Sequence, residues 1–322
     1  MKKEISCFET IREIDETKKY FEKQLEKELN LIKVQSPLFV KTSTGLQDDL
    51  TGIEKAIGFS KEDEEYEIVH SLAKWKRDAL GRYSLPMHMG LYTDMKAIRK
   101  DEVVDSVHSL FVEQWDWEKI IDKEDRTIDY LKDTVKRIYE AIKHTLMFIE
   151  RKHNNITIKL PKDITFITSQ ELEDMYSDMT PKEREDIIAK EKKAVFIIGI
   201  GDKLKSGIVH DLRSPDYDDW QLDGDMLIYD KVLDRAIEIT SMGIRVDEES
   251  LVSQLTKANC LERLKLPYHQ KIYKCQLPYT IGGGIGISRL LMLLLEKKHI
   301  ALVQASSWDK KTLKQLNNQM VL

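Results

Sequence analysis

The chain has few cysteines and no long apolar run, whereas many cysteines are typical of secreted proteins and long apolar runs of membrane-spanning ones. It contains three cysteines among 322 residues, and Cys7, Cys260 and Cys275 show no CxxC spacing and cannot all pair. Free thiols in a reducing compartment are the simplest interpretation. The longest fully apolar run, 290–295, is too short to cross a bilayer, and residues 1–4 lack the apolar segment of a signal peptide. We therefore expect a cytoplasmic protein with no membrane partner.

Neither sign of charge is in large excess. There are 51 lysines and arginines against 56 aspartates and glutamates, for a formal net charge of −5. This balance argues against a general electrostatic grip on nucleic acid, so we expect no nucleic-acid partner, although a local RNA-binding patch stays open. Proline and glycine are sparse, with 7 and 14 residues, and they form no linker. We expect one α+β domain over residues 1–322.

Periodicity predicts the main elements. Apolar residues recur at helical spacing over 8–29 and about 127–152, which predicts two long helices. Apolar or alternating runs predict strands over 31–40, 163–168, 194–201 and 225–229. Pro37 interrupts the first of these strands, and an edge strand is the alternative there because proline cannot donate to a ladder. Thr180, Pro181 and Glu183 predict a helix start with a hydroxyl N-cap, proline at the first position and a capping-box glutamate.

Glycine is concentrated in one place, where four of the five residues 282–286 are glycine. The pattern predicts a glycine-rich turn that leads into a buried helix with Arg289 in its first turn. A backbone without Cβ atoms can pass close to a ligand. An arginine beside free N–H groups at a helix N-terminus is suited to the phosphates of a nucleotide. A tight corner between a strand and a helix, with no ligand, is the alternative.

Residues 99–116 contain a second group of candidate site residues, which begins where an apolar stretch ends. Arg99 is predicted to lie where a strand ends, with a surface salt bridge as the alternative role. His108 lies in the loop to the next strand, as a contact to adenine or phosphate or as a plain loop histidine. Gln114 and Asp116 alternate on that strand and share one face. An amide and a carboxylate on one face are suited to the ammonium group of an amino acid.

These segments resemble motif 2 (about 92–118) and motif 3 (about 280–296) of the class II aminoacyl-tRNA synthetases. The helix and strand at about 8–40 resemble motif 1, which forms the dimer interface in that superfamily. The resemblance implies a mostly antiparallel sheet flanked by helices, adenylation of a carboxylate, and a homodimer. It also implies a set of residues that bind ATP: Arg99, His108, Glu238, Gly284 and Arg289.

Further segments resemble the aspartyl and asparaginyl members of that superfamily. Ser71 and Lys76 have the spacing of a serine and a lysine that recognise the substrate. Glu238 and Arg245 have the seven-residue interval between a glutamate that holds Mg²⁺ at the ATP and an arginine that binds the aspartate carboxylate. Asp225 is implied as the second carboxylate on the metal side, although the connection between the two acids is longer than in that family.

Nearly the whole chain is similar to the family of ammonia-dependent asparagine synthetases of the A type. Segments 69–77, 114–118, 216–220 and 241–246 match closely, whereas the stretch between Trp220 and Asp225 is shorter than the family pattern. The predicted motif 1 helix begins so near Met1 that no anticodon-binding domain is expected. The resemblance implies the substrates L-aspartate, ATP and ammonia, with Mg²⁺ as cofactor and a β-aspartyl adenylate as intermediate.

The products implied are L-asparagine, AMP and diphosphate. The implied catalytic residues are Arg99, Lys76, Gln114 and Arg289. The residues implied to bind aspartate are Asp48, Ser71, Lys76, Gln114, Asp116, Ser241 and Arg245. Two alternatives stay open: a paralogue of the aspartyl or asparaginyl synthetases that acts on tRNA, and a non-catalytic regulatory relative.

Overall fold

The computed structural model describes residues 7–50, 54–153 and 156–317, apart from the side chain of Cys7. The absence of a signal peptide was inferred from residues 1–4, which lie outside the described residues, as does the Cys7 thiol. Cys260 and Cys275 are free thiols. Within the described ranges, none of the helices combines the length and the apolar character that a bilayer span requires.

Strands and α-helices are interspersed along the chain, with runs of consecutive strands over 31–68 and 194–245. The strands are β1 (Leu31–Lys33), β2 (Phe39–Lys41), β3 (Gly58–Lys61), β4 (Glu64–Ile68), β5 (Gly90–Ile98), β6 (Phe111–Ile120), β7 (Thr165–Thr168), β8 (Ala194–Ile198), β9 (Asp218–Asp230), β10 (Arg235–Arg245) and β11 (Thr280–Gly286). The α-helices are α1 (Cys7–Leu29), α2 (Ala73–Tyr83), α3 (Ile128–Lys152), α4 (Ser169–Met175), α5 (Pro181–Lys192), α6 (Glu248–Lys257), α7 (Pro267–Tyr273), α8 (Ile287–Leu294) and α9 (Lys310–Gln315).

One eight-stranded sheet forms the centre, in the order β1-β5-β6-β11-β10-β9-β8-β7. The pairs β1–β5 and β7–β8 are parallel, and the neighbours between them are antiparallel. A small antiparallel sheet, β2-β4-β3, stands apart from it. The mostly antiparallel sheet flanked by helices confirms the predicted α+β class.

The two long helices, α1 and α3, are confirmed and cover one face of the central sheet. Phe21 of α1 packs on Trp115 of β6, with ring centroids 4.7 Å apart. Tyr20 stacks on Phe148 of α3 at 4.2 Å, which joins the two helices. Trp115 and Trp117 are fully buried in this core. Because side chains alternate along a strand, Gln114 and Asp116 face the opposite side of the sheet, as predicted.

Three predicted strands have different limits in the structure. The strand expected over 31–40 is divided at Pro37 into β1 and β2, which belong to different sheets. The strand expected over 194–201 ends at Ile198, because Gly199 and Gly201 take positive φ angles of 80° and 112°. The strand expected over 225–229 is the inner part of β9, so the chain between Trp220 and Asp225 forms no loop. The capping box at Thr180 is confirmed.

The prediction of a glycine-rich turn at 282–286 is wrong, since these residues form β11, and the helix α8 follows directly. None of its four glycines has a positive φ. Three of them are required by their neighbours: a Cβ would lie 2.0 Å from Glu118 Oε2 on Gly282, 2.5 Å from Met242 Cβ on Gly283 and 2.5 Å from Gln114 Oε1 on Gly284. Arg289 does lie in the first turn of α8, as predicted.

Candidate active site

A cavity of about 430 Å³ opens on the side of the central strands that α1 and α3 leave uncovered. Every predicted site residue except Asp225 lines it: Asp48, Ser71, Lys76, Arg99, His108, Gln114, Asp116, Glu238, Ser241, Arg245, Gly284 and Arg289. They come from β6, β10 and β11, from α2 and α8, and from the loops that flank these elements. The structure thus brings together residues that lie far apart in the sequence.

The strand pairing explains how the sheet carries these groups. Asp116 of β6 lies opposite Gly284 of β11, which lies opposite Ser241 of β10, which lies opposite Asp225 of β9. Residues paired across neighbouring strands share a face, so this row presents its polar groups on the cavity side. The glycine in the row leaves room for the Gln114 side chain of the neighbouring strand, which a Cβ on Gly284 would meet at 2.5 Å.

One end of the cavity is formed by the loop between β5 and β6. Arg99 follows β5 directly, and its backbone N–H donates to Leu110 O at 2.9 Å. Its Nε is buried and has no hydrogen-bond partner among the described residues. His108 Nδ1 lies 2.8 Å from Asp105 Oδ1. Burial acts to raise the pKa of Asp105, but the Val107 N–H and the His108 ring outweigh it and hold that pKa below its usual value.

Arg289 faces this loop from the first turn of α8. Its Nη1 donates to Glu238 O at 3.2 Å and lies 3.6 Å from Glu238 Oε1. The Glu238 side chain is 37% exposed, so its carboxylate can accept a ligand from the cavity. Arg99, Arg289 and Glu238 therefore place two cations and one accessible carboxylate at the same end. This arrangement fits a polyphosphate with a divalent cation.

The other end holds Asp48 and Ser71, which come from two loops. Ser71 Oγ donates to Asp48 Oδ2 at 2.6 Å, and Leu50 N–H donates to Asp48 Oδ1 at 2.8 Å. His70 Nδ1 lies 3.1 Å from Asp48 O, which ties the loop before β3 to the loop after β4. The Asp48 carboxylate is thereby fixed in orientation where it lines the cavity.

Lys76 occupies the first turn of α2, where a cation opposes the helix dipole. The structure shows what compensates it: Nζ donates to Asp116 Oδ1 in a short ion pair and to Gly283 O at 3.1 Å. Glu118 Oε2 lies 3.9 Å from the same nitrogen. Burial lowers the pKa of Lys76, and the two carboxylates oppose that shift. The ammonium group therefore points at the sheet and not into solvent.

Arg245 lies at the end of β10 and is also held by acids. Its Nε and Nη2 donate to the Glu118 carboxylate at 2.9 and 2.7 Å, and Nη1 donates to Asp218 Oδ1. Burial acts to raise the pKa of Glu118, but Arg245 and Lys76 outweigh it and lower that pKa. The pKa of Asp218 is raised because burial outweighs its arginine partner. Asp116, Glu118 and Asp218 thus surround two buried cations.

Sequence reasoning missed Glu118 as a functional residue. It occupies the same strand as Gln114 and Asp116 at the next even position, so the period of two was a signal for it. Its carboxylate also accepts from Thr280 Oγ1 at 2.7 Å. Glu118 links Lys76 to Arg245 and therefore organises both cations that the sequence assigned to the substrate.

Asp225 was predicted as the second carboxylate beside the metal, but it does not line the cavity. It is buried, and Arg213 Nη2 donates to its Oδ1 in a short ion pair. Arg213 lines the cavity in its place, with Asp211 beside it in sequence. Burial raises the pKa of Asp225 to about 7 against the pull of Arg213, and the neighbouring carboxylates of Glu238 and Asp211 add to the rise. The role of Arg213 carries no signal in the sequence.

The raised pKa of Asp225 gives a prediction about stability. A carboxyl with a folded-state pKa of about 7 and an ordinary value of 3.8 stabilises the fold at low pH and loses that contribution as pH rises through 7. The Asp225→Asn variant lacks this titration. The free energy of unfolding of the natural protein should therefore fall by about 3 kcal/mol relative to Asp225→Asn between pH 5 and pH 8.

Urea unfolding at both pH values, with EDTA present, measures this difference. Asp133→Asn is the matched control, since the Asp133 side chain is 70% exposed. Its difference from the natural protein should stay within about 0.5 kcal/mol at either pH. A difference for Asp225→Asn that does not change with pH would contradict the raised pKa.

Solved structures similar to this chain share its fold. The asparaginyl-tRNA synthetase from Pyrococcus horikoshii, complexed with asparaginyl-adenylate, has a TM-score of 0.67 at 14% identity, over 92% of this chain and 68% of that one. The asparaginyl-tRNA synthetase of Entamoeba histolytica has a TM-score of 0.63 at 16% identity, over 92% of this chain and 66% of that one. At these identities the likeness concerns the fold, and it confirms the class II synthetase-like architecture.

Similarity in sequence is much higher to another group of enzymes. The profile described as aspartate-ammonia ligase matches residues 8–320. The aspartate–ammonia ligase of Clostridium perfringens strain 13 is 58% identical over 95% of this chain and 92% of its own length. The ligase of Clostridium tetani is 54% identical over 97% of this chain and 93% of its own length. The ligase of Lactiplantibacillus plantarum is 53% identical over 95% of this chain and 96% of its own length. The chain is therefore an enzyme of the aspartate–ammonia ligase family.

Proposed function

We propose that this enzyme makes L-asparagine from L-aspartate and ammonia, and that it cleaves ATP to AMP and diphosphate in doing so. An oxygen of the aspartate β-carboxylate attacks the α-phosphorus, and the bond from that phosphorus to diphosphate breaks. Ammonia then attacks the carbonyl carbon of the β-aspartyl adenylate, and the carbon–oxygen bond to AMP breaks as the nitrogen loses a proton. The observation that supports this most is one cavity lined both by Arg99, Arg289 and Glu238, which suit a polyphosphate, and by Asp48, Lys76, Asp116 and Arg245, which suit an amino acid.

The ATP end contains Arg99, Arg289, His108 and Gly284. Arg99 brings a buried, unpartnered Nε to the cavity, and a charged donor without a protein partner is suited to an anionic ligand. Arg289 approaches from the first turn of α8, where free backbone N–H groups add to the positive potential. Both arginines would stabilise the negative charge that builds on the α-phosphate during transfer.

The aspartate end contains Lys76, Arg245, Asp48 and Asp116. Both cations already pair with carboxylates of the sheet, yet donors remain on their terminal nitrogens after those bonds. We propose that these donors hold the α-carboxylate of aspartate, while Asp48 or Asp116 meets its α-ammonium group. The β-carboxylate then points toward the nucleotide. This orientation is inverted relative to a synthetase, which activates the α-carboxylate.

Gln114, Ser71 and Ser241 complete the proposed substrate contacts. Gln114 contacts the backbone plane of β11 closely, since its Oε1 would be 2.5 Å from a Cβ on Gly284. Its amide therefore lies over the glycine strand, between the two ends of the cavity. An amide there can contact the reacting carboxylate and the phosphate at once, which is why we count Gln114 with Arg99, Lys76 and Arg289 as catalytic.

Mg²⁺ is the proposed cofactor, bound together with ATP. The partly exposed carboxylate of Glu238 fits this role, since oxygen ligands suit Mg²⁺. Asp225 fits less directly, because Arg213 occupies one of its oxygens. The acids Asp211, Asp225 and Glu238 nevertheless act on one another electrostatically, with Arg213 as their cation. When bound, the metal would neutralise phosphate charge at this end.

We also propose a cytoplasmic homodimer built from one catalytic domain per chain. The region around Pro37 is the proposed contact, from the resemblance of 8–40 to motif 1. Light scattering at micromolar concentration separates a dimer from a monomer. An active monomer would contradict the proposal.

The reaction is tested by incubating the purified protein with aspartate, ATP, Mg²⁺ and ammonium chloride. Asparagine, AMP and diphosphate should appear in equal amounts, and product formation should stop when EDTA replaces Mg²⁺. Chromatography measures asparagine and AMP, and a coupled enzymatic assay measures diphosphate. ADP as the product, or activity only when tRNA is added, would overturn the assignment in favour of another ligase or a tRNA-acting relative.

A further inference from the structure

A buried glutamine lines the cavity at the proposed ATP end and belongs to neither predicted substrate set. Gln304 follows the short 3₁₀ helix Ile300–Leu302 and is 2% exposed. Its Oε1 accepts from Ser109 Oγ at 2.6 Å. Its Nε2 donates to Phe111 O and to Ser288 Oγ, both at 3.0 Å. Both amide donors and the acceptor of the side chain are therefore satisfied.

These three bonds connect the two parts of the chain that carry the phosphate arginines. Ser109 and Phe111 flank Leu110, whose carbonyl accepts from the backbone N–H of Arg99. Ser288 directly precedes Arg289 in the first turn of α8. Gln304 thus bridges the stretch that anchors one arginine and the helical turn that carries the other. The backbone bond from Ile300 N–H to Ser106 O, at 2.8 Å, ties the same C-terminal segment to the same loop.

A second buried glutamine has the same bonding pattern at the other end of the cavity. Gln254 of α6 is 4% exposed, and its Oε1 accepts from Trp220 N–H at 2.9 Å. Its Nε2 donates to Pro215 O at 3.1 Å and to Asp218 O at 2.9 Å. Gln254 therefore holds the backbone of the residue whose carboxylate binds Arg245.

We propose that Gln304 is a positioning residue for the nucleotide and that Gln254 has the matching role for aspartate. This inference rests on the proposed function, since it uses the assignment of the two ends. Two arginines that bracket a triphosphate must keep their separation, and a side chain whose amide is bonded to both supports maintains that separation. A methionine fills nearly the same volume as glutamine but makes none of the three bonds.

The experiment compares Gln304→Met with Gln254→Met, each the control of the other. Gln304→Met should raise the KM for ATP, and the dissociation constant for ATP measured by calorimetry, roughly tenfold. Its KM for aspartate should stay within twofold. Gln254→Met should show the reverse pattern, with a roughly tenfold rise for aspartate only.

Melting temperatures separate positioning from general destabilisation. Ser288→Ala removes one of the three bonds and replaces Gln304→Met in the test if that variant is poorly folded. Its KM and dissociation constant should rise by less than tenfold for ATP and should not change for aspartate. Combined with Gln304→Met, it should add almost nothing, because both remove the same bond. If the KM for ATP and the KM for aspartate change equally in every variant, the proposal is wrong.

The outcomes for the natural protein keep the two proposals distinct. An enzyme that makes asparagine, with unchanged ATP affinity in Gln304→Met, rejects the positioning role and leaves the function intact. A protein that binds ATP but makes no asparagine rejects the proposed reaction. In that case calorimetry with the same variants still decides the role of Gln304.

Discussion

Replacing Arg99 with alanine should lower the rate of aspartate-dependent AMP formation by at least ~100-fold, and Arg289→Ala should have an effect of the same size. Loss of one charged donor that stabilises a developing negative charge has this scale. The Nε of Arg99 is buried and has no hydrogen-bond partner among the described residues, and Arg289 makes contacts of 3.2–3.6 Å to Glu238 and Val107, which a phosphate can replace.

The rates are measured as kcat/KM for ATP with saturating aspartate and ammonium. Arg82→Ala is the matched control, because Arg82 contacts Asp78 and Tyr83 of its own helix and its side chain is 51% exposed. It should retain the full rate. Turnover near the natural rate in Arg99→Ala or Arg289→Ala would remove that arginine from the phosphate site.

Replacing Arg245 with methionine should have the largest effect on stability. Glu118 and Asp218 would stay buried while losing their shared partner, and breaking a buried ion pair from one side costs about 3–5 kcal/mol. The cost should grow with pH. Without the guanidinium, burial should raise the pKa of both carboxyls, so the variant can protonate them at pH 5 but must keep them charged in the interior at pH 8.

Urea unfolding at pH 5 and pH 8 checks both parts of this expectation. Arg12→Met is the control, since the Arg12 side chain is 61% exposed in a pair with Glu16, and its change should stay below about 1 kcal/mol. A loss for Arg245→Met below 1 kcal/mol at pH 8 would mean that water or another cation replaces the guanidinium.

Much of the fold could be predicted because the signals for it are local. The apolar period of α1 and α3, the capping box at Thr180 and the alternation of Gln114 with Asp116 each involve residues close in the chain. The pairing of β1 with β5 and the division at Pro37 depend on partners far away in the sequence, so the limits of the first strands could not be predicted.

The same distinction applies to the site. The resemblance supplied residues that the structure brings to one cavity, but it did not supply their partners. Arg213 was missed because its role depends on a bond from one loop to Asp225 of β9. The glycines of β11 were assigned to a turn because a composition rich in glycine suggests freedom of φ, whereas here it reflects the side chains of Glu118 and Gln114 packed against the strand.

The direct passage of β11 into α8 has a consequence for how the two arginines respond to a ligand. Gly286 ends the strand and Ile287 begins the helix, so Arg289 is held on the sheet with no intervening loop. Arg99 instead begins the irregular stretch 99–110, which joins β5 to β6. If the two arginines bind the nucleotide as proposed, one side of it meets a fixed reference point on the sheet. Adjustment to different lengths of phosphate chain then falls within 99–105, ahead of the bonds that hold Ser106 and Ser109 to the C-terminal segment.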